Sequence, residues 1–222
     1  MPNIRILICD DHALIRTGLI GTLSNEPGIF IVGEAENGNE MITQYEKLKP
    51  DLVISDIEMP AMSGIRALKQ LKSKYPLIKA LFVSVYGGDE YIYSILKAGG
   101  LGLIDKSPAK GELLYAVNEV YNGRQYFGPH YNNEQIKAIL KKYDAPPVYF
   151  DFASPIQPTP TENDVLEFIS QGLSTQEIAG KMDVNPRTID THRANIIKKF
   201  SLKGGHDLIR FAFFYSASKQ NI

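Results

Sequence analysis

LVISDIEMP, residues 52–60, is the stretch on which the fold turns. Leu52–Ser55 is a short apolar run, and it stops at a carboxylate, Asp56. Pro60 follows within a few residues. A strand of this kind, apolar on both faces, belongs inside a parallel sheet. Working outward, the same form recurs: Ile4–Cys9 runs into Asp10-Asp11, and Ala80–Ser84 ends on a hydroxyl. Ile29–Glu34 and Leu101–Ile104 complete the set, the last followed by Lys106. Between these runs lie helical patterns near residues 12–25, 38–48, 63–74, 88–98 and 109–122. Five βα repeats predict an α/β fold with a doubly wound, five-stranded parallel sheet, because parallel strands need helical crossovers.

The chain has 222 residues, long for one domain and comfortable for two. Its formal net charge is −1 and 22% of its residues are charged, so any nucleic-acid footprint must be local. The N-terminal MPNIRILICDDH carries an acidic pair straight after its apolar run, the wrong pattern for a secretory signal peptide. No apolar stretch approaches the roughly 18 residues that span a bilayer. The lone Cys9 has no partner for an intrachain disulfide and reads as a buried structural thiol. The expectation is a cytoplasmic protein with no membrane partner.

After about residue 123 the texture changes. Asn132–Tyr143 reads as a short helix, and then five prolines fall between Pro146 and Pro160, as in an extended connector. Its aromatics Tyr149, Phe150 and Phe152 favour a path along a domain surface. Beyond it the pattern is purely helical. Thr159-Pro160-Thr161-Glu162 and Ser174-Thr175-Gln176-Glu177 are two capping boxes, Gly172 stops the first helix, and Asn185-Pro186 opens a third reaching Phe200. A fourth occupies roughly 205–217. The expected division is a domain over 1–125, a linker over 126–158, and an all-α four-helix domain over 159–222.

In a parallel sheet all strand C-termini share one edge, so Asp10, Asp11 and Asp56 converge there, with Ser84 and Lys106. The first and third strands flank the switch point of a flavodoxin-like strand order, where such sheets bind ligands. Converging carboxylates repel one another, and a hard divalent cation relieves the repulsion; Mg²⁺ prefers oxygen ligands. An aspartate beside Mg²⁺ and a lysine is suited to accept a phosphoryl group, whose oxygens the cation, the ammonium and the Ser84 hydroxyl then hold. His12, next to the acid pair, reads as a residue that caps or lines the first helix.

Asp10-Asp11, the string Asp56-Ile57-Glu58-Met59-Pro60 with Gly64, Ser84, and Lys106-Ser107-Pro108 together resemble the receiver domain of bacterial two-component response regulators. The resemblance implies that Asp56 is the phosphoacceptor and that Asp10, Asp11 and Asp56 bind Mg²⁺ together with the backbone carbonyl of Glu58. It further implies that Lys106 binds the phosphoryl group, Ser84 is the switch hydroxyl, and the donor is a sensor histidine kinase. The family usually carries Tyr or Phe three residues before the lysine, whereas this chain has Leu103. A second reading is a Mg²⁺-dependent phosphohydrolase working through an aspartyl phosphate. Against it, haloacid-dehalogenase-type enzymes carry D-x-D on the first strand, and no cap insertion is visible. A third makes this receiver vestigial. On the first reading the chain takes part in phosphotransfer but turns over no external substrate.

Residues 174–200 have the outline of a helix, a tight turn and a longer helix. At about 100° per residue, Ile189, Ile196 and Phe200 share one face of the longer helix. Arg187, Thr191, Ala194 and Lys198 lie opposite, with Asp190 beside them, a mixture that suits base edges in the major groove. Asn185–Lys203 holds five basic residues (Lys199 among them) against the single acid Asp190, a local charge of +4. Gln171-Gly172-Leu173-Ser174, Glu177-Ile178-Ala179, Thr188–His192, Asn195-Ile196 and Lys199-Phe200 resemble the LuxR-type helix-turn-helix of NarL/FixJ regulators. This resemblance implies double-stranded DNA as a partner, contacted by Arg187, Asp190, Thr191, Ala194, Lys198 and Lys199. Family members commonly have a basic residue where Asp190 stands, and His192 reads as structural. The last helix, Asp207–Tyr215, is apolar nearly all round and implies a further partner surface, which in the family pairs two DNA-binding domains. The expected output is a homodimer on a two-fold DNA site.

Overall fold

In a computed structural model of the chain, residues 3–85, 87–144 and 156–219 are described, with backbone alone for 206 and 217–219. Five strands, β1 (Ile4–Cys9), β2 (Ile29–Ala35), β3 (Leu52–Asp56), β4 (Ala80–Ser84) and β5 (Gly102–Asp105), form one parallel sheet in the order β2-β1-β3-β4-β5. That is the flavodoxin-like order, with its switch point between β1 and β3. Helices α1 (Ala13–Ser24), α2 (Gly38–Leu48), α3 (Gly64–Lys74), α4 (Asp89–Ala98) and α5 (Lys110–Tyr121) make the crossovers. Strand residues alternate between faces. Ile4, Ile6 and Ile8, with Leu52, Ile54, Leu81, Val83 and Ile104, pack one face against Leu19 and Leu23 of α1 and Leu113, Ala116, Val117 and Val120 of α5. The alternate positions Leu7, Cys9, Val53 and Phe82 are equally buried and face the opposite layer, where α3 contacts both α2 and α4. Cys9 is fully buried, which pushes its thiol far above the ordinary range and keeps it unreactive.

The chain divides into two compact units, Met1–Leu140 and Lys141–Ile222. The residues that the sequence places in a linker are not all extended. Tyr126 bridges Gly102 in parallel, with Leu103 N donating to its carbonyl at 3.0 Å, and Asn133–Asp144 forms α6. An isolated bridge of this kind leaves no periodic signature in the sequence. The proline-rich stretch 145–155, with Tyr149, Phe150 and Phe152, lies outside the described residues.

The second unit carries α7 (Pro160–Ser170), α8 (Thr175–Met182), α9 (Pro186–Lys199) and α10 (Gly205–Lys219). Both expected capping boxes are present, Thr159 with Glu162 and Ser174 with Glu177. Gly172, at φ +79, ends α7 in a Schellman motif, with Leu173 N reaching back to Phe168 O. Val165, Leu166, Ile178, Ile189, Ile196, Leu208 and Phe211 form the core. No helix among the described residues is long and apolar enough to cross a membrane.

Candidate functional site

The site is built at the C-terminal edge of the sheet. Asp10 follows β1 and is fully buried, Asp56 ends β3 and is nearly so, and Lys106 follows β5 with little exposure. Lys106 Nζ lies 2.6 Å from Asp56 Oδ2 and 3.1 Å from Asp10 Oδ2. Its backbone N–H donates to Ser84 O at 3.0 Å, so the end of β4 places the lysine. Ser84 itself is buried beside it. Asp10, Asp11, His12 and Asp56 each offer a ligand atom, all within 4.8 Å of one another.

Burial pushes the Asp56 carboxyl above its ordinary value; the bond from Lys106 opposes that rise and the Asp10 charge adds to it. Burial acts to lower Lys106, but its bonds to Asp56 and Asp10 outweigh this and hold the ammonium charged. One carboxylate oxygen stands apart. Asp10 Oδ2 is buried, and the Lys106 ammonium at 3.1 Å meets it as an ion pair without hydrogen-bond alignment. Three carboxylates converge on one lysine ammonium, and a hard cation takes oxygen donors, so this donor set fits Mg²⁺.

The loop after β3 is tightly held. Ser55 Oγ donates to Asp56 O at 2.8 Å and Gly64 N to Ile57 O at 3.0 Å. A Cβ on Gly64 would run into the Asp56 carbonyl and Ser55 Oγ, so α3 approaches this closely only because that residue is glycine. Ala61 has φ +63 and is spanned by a Met62 N to Pro60 O bond of 2.7 Å, a strained three-residue turn. Glu58 is exposed in the same loop. His12 occupies the N-cap position of α1 without a side-chain cap bond; its ring is 63% exposed, with Nδ1 2.8 Å from Asp11 Oδ1. Arg16 escaped the sequence reading. Its Nη1 donates to Asp10 O at 2.7 Å, while Nε and Nη2 reach Glu34 and Glu36 at 2.8 Å each.

The second site is the outer face of α9. Ile189 and Ile196 are buried and Phe200 packs against the core, as the helical wheel requires. Arg187, Asp190, Thr191, Ala194 and Lys198 are all exposed. Thr191 Oγ1 donates back to Arg187 O at 2.9 Å. Asp190 Oδ1 takes a long bond, 3.4 Å, from Thr175 Oγ1 at the start of α8. His192 is half-buried between the two faces.

Lys199 departs from expectation. Its ammonium bonds Glu162 Oε2 at 2.7 Å and is only 28% exposed, so it ties α9 to the cap of α7 and does not stand on the outer face. On α10, Leu208, Phe211 and Ala212 are buried, Ile209, Phe213 and Phe214 are half-buried, and Tyr215 Oη donates to Asn163 Oδ1 at 2.7 Å.

Residues 6–118 match the family of response regulator receiver domains, and residues 159–212 match the bacterial regulatory proteins of the luxR family. Response regulator GacA of Pseudomonas protegens is 31% identical over 210 residues, covering 94% of this chain and 95% of that protein. Response regulator protein VraR of Staphylococcus aureus is 30% identical over 211 residues, covering 95% and 97%. Among solved structures, RcsB of Salmonella enterica serovar Typhimurium, bound to a promoter in the presence of a phosphomimetic, shares the fold. Its TM-score is 0.56 at 22% identity, with 94% of this chain and 97% of that one covered. With a five-stranded receiver sheet at one end and a LuxR-type helix-turn-helix at the other, the chain belongs to the two-component response regulators of the NarL/FixJ type.

Proposed function

We propose that this chain is a transcription regulator that accepts a phosphoryl group on Asp56 and binds a two-fold DNA site as a homodimer. One observation carries the reading. A buried ammonium is shared by two buried carboxylates, Asp56 at 2.6 Å and Asp10 at 3.1 Å, at the edge where Asp11 also lies. In the transfer, an Asp56 carboxylate oxygen attacks phosphorus on the phosphohistidine of a sensor histidine kinase. The P–N bond breaks, and the imidazole keeps the electron pair and takes up a proton. Lys106 shifts from the carboxylate to a phosphoryl oxygen and offsets its charge, and the Ser84 hydroxyl donates to another. Asp10, Asp11, Asp56 and the Glu58 carbonyl would hold Mg²⁺, which supplies charge against the phosphoryl oxygens when bound. The protein itself is the acceptor, so no external substrate turns over.

On the output side, Arg187 and Lys198 meet phosphates and base edges, Asp190 and Thr191 read bases, and Ala194 allows close approach. Lys199 serves this surface by holding α9 in place. The receiver spans 1–125, the connector 126–158 with the Tyr126 bridge and α6 inside it, and the DNA-binding domain 159–222. Kinase output and DNA are both reached from the cytoplasm. The deciding experiment is labelling by acetyl phosphate with Mg²⁺, comparing wild type with Asp56→Asn, followed by DNA binding of the labelled protein. Equal labelling of the two proteins would overturn the assignment of Asp56.

A further inference from the structure

The backbone of Asp10 is clamped from both sides. Its N–H donates to Ala35 O on β2 at 3.0 Å, and its carbonyl accepts from Arg16 Nη1 at 2.7 Å. The same guanidinium is anchored by Glu34 and Glu36, the two residues flanking Ala35, at 2.8 Å each. A closed ring therefore runs from the end of β1 through α1 to the end of β2 and back. Arg16 is 12% exposed, while its two acids are half-exposed or more, so the guanidinium is the buried hub. A planar fork with several nitrogens in fixed directions does this; a lysine has a single nitrogen at the end of a flexible stem and cannot reach three acceptors spread around a guanidinium.

We infer that Arg16 is a positioning residue for the cation site, holding the Asp10-Asp11 turn so that the buried Asp10 oxygen stays aimed into the pocket. The inference rests on the Mg²⁺ reading above. Without the clamp, the turn must be ordered when the cation binds, and affinity falls. Groups that orient metal ligands are typically worth 10–100-fold in affinity. The sign of the effect separates positioning from charge. A guanidinium near a cation site repels the cation, and removing it also frees two carboxylates, so on electrostatics alone its loss tightens binding.

The test compares wild type, Arg16→Gln and Arg16→Lys as full-length, folded proteins. Mn²⁺ binding is followed by electron paramagnetic resonance, and the Mg²⁺ dependence of labelling by acetyl phosphate is measured in parallel. The Gln variant should bind Mn²⁺ about tenfold more weakly and need correspondingly more Mg²⁺, with labelling at saturating Mg²⁺ within twofold of wild type. The Lys variant should show the same direction despite its retained charge, and it stands as the test if Gln does not fold. Unchanged or tighter binding in a folded variant overturns the inference, as does a lower maximal rate at unchanged half-saturation, the mark of a general structural defect. A wild type that labels on Asp56 beside indifferent variants leaves the phosphorylation reading standing. A wild type that binds no Mn²⁺ sinks both.

Discussion

Asp56 was legible from its place at the end of an apolar run, and its partner Lys106 from a place fifty positions later on the same sheet edge. The burial that lifts its carboxyl was not legible, because it depends on side chains from several elements. Asp56→Asn keeps the shape and removes the nucleophile, so labelling from acetyl phosphate should vanish. Asp11→Ala should raise the Mg²⁺ requirement and leave the labelled position unchanged, as read by mass spectrometry of the phosphopeptide. Gly64 offers a stability test. A methyl there must displace the Asp56 carbonyl or Ser55 Oγ, and overpacking of this kind costs about 1–3 kcal/mol. Gly64→Ala should lower the unfolding free energy by that amount, read as a lower denaturant midpoint at unchanged slope; an unchanged midpoint would mean the loop moves aside freely.

At the scale of elements, the helical wheel placed the faces of α9 correctly but could not tell which lysine has a partner. Periodicity gives direction around an axis, and Glu162 comes from another helix, 37 residues away. The two lysines should therefore separate in experiment. Lys198→Ala should weaken DNA binding across sequences and shallow the salt slope by about one unit. Lys199→Ala should mainly lower thermal stability, with a smaller change in the slope.

The same pair sets a pH dependence. Burial raises the Glu162 carboxyl, but the Lys199 ammonium and the Thr159 N–H outweigh it and hold it below the ordinary carboxylate range. A carboxyl lower in the folded than in the unfolded state adds stability above its unfolded value and loses it as pH falls through the folded one. Acidification through and below the ordinary carboxylate range should therefore destabilise wild type more than Glu162→Gln. Parallel melting curves for the two proteins down to pH 3 would refute this.

For the whole molecule the issue is how phosphorylation reaches the DNA-binding face. Leu103 is buried on β5, opposite Phe82 of β4, at the position where the receiver resemblance leads one to expect an aromatic ring. It lacks both a ring and a hydroxyl, so Ser84 should carry most of the coupling, through its hydrogen bond and the loop that follows it. Coupling energies of this kind run to about 1–3 kcal/mol, or roughly 5–150-fold in affinity. The gain in DNA affinity on phosphorylation should be largely lost in Ser84→Ala and largely kept in Leu103→Ala. The reverse ranking would make Leu103 the switch.

Sequence alone determined the five-stranded parallel sheet, every strand end to within a residue, both capping boxes and the convergence of acids at one edge. Each of these rests on local periodicity, on cap chemistry, or on the rule that parallel strands end together, and none needs a long-range contact. Only the tertiary structure decided that Arg16 clamps the acid turn, that Lys199 turns inward to Glu162, and that Tyr126 runs beside β5. Glu162 lies far from Lys199 in the chain, Gly102 far from Tyr126, and Arg16 is held toward the nearby Asp10 only by Glu34 and Glu36 of a distant strand end; a one-dimensional pattern shows that a group is present without showing which partner the fold brings to meet it.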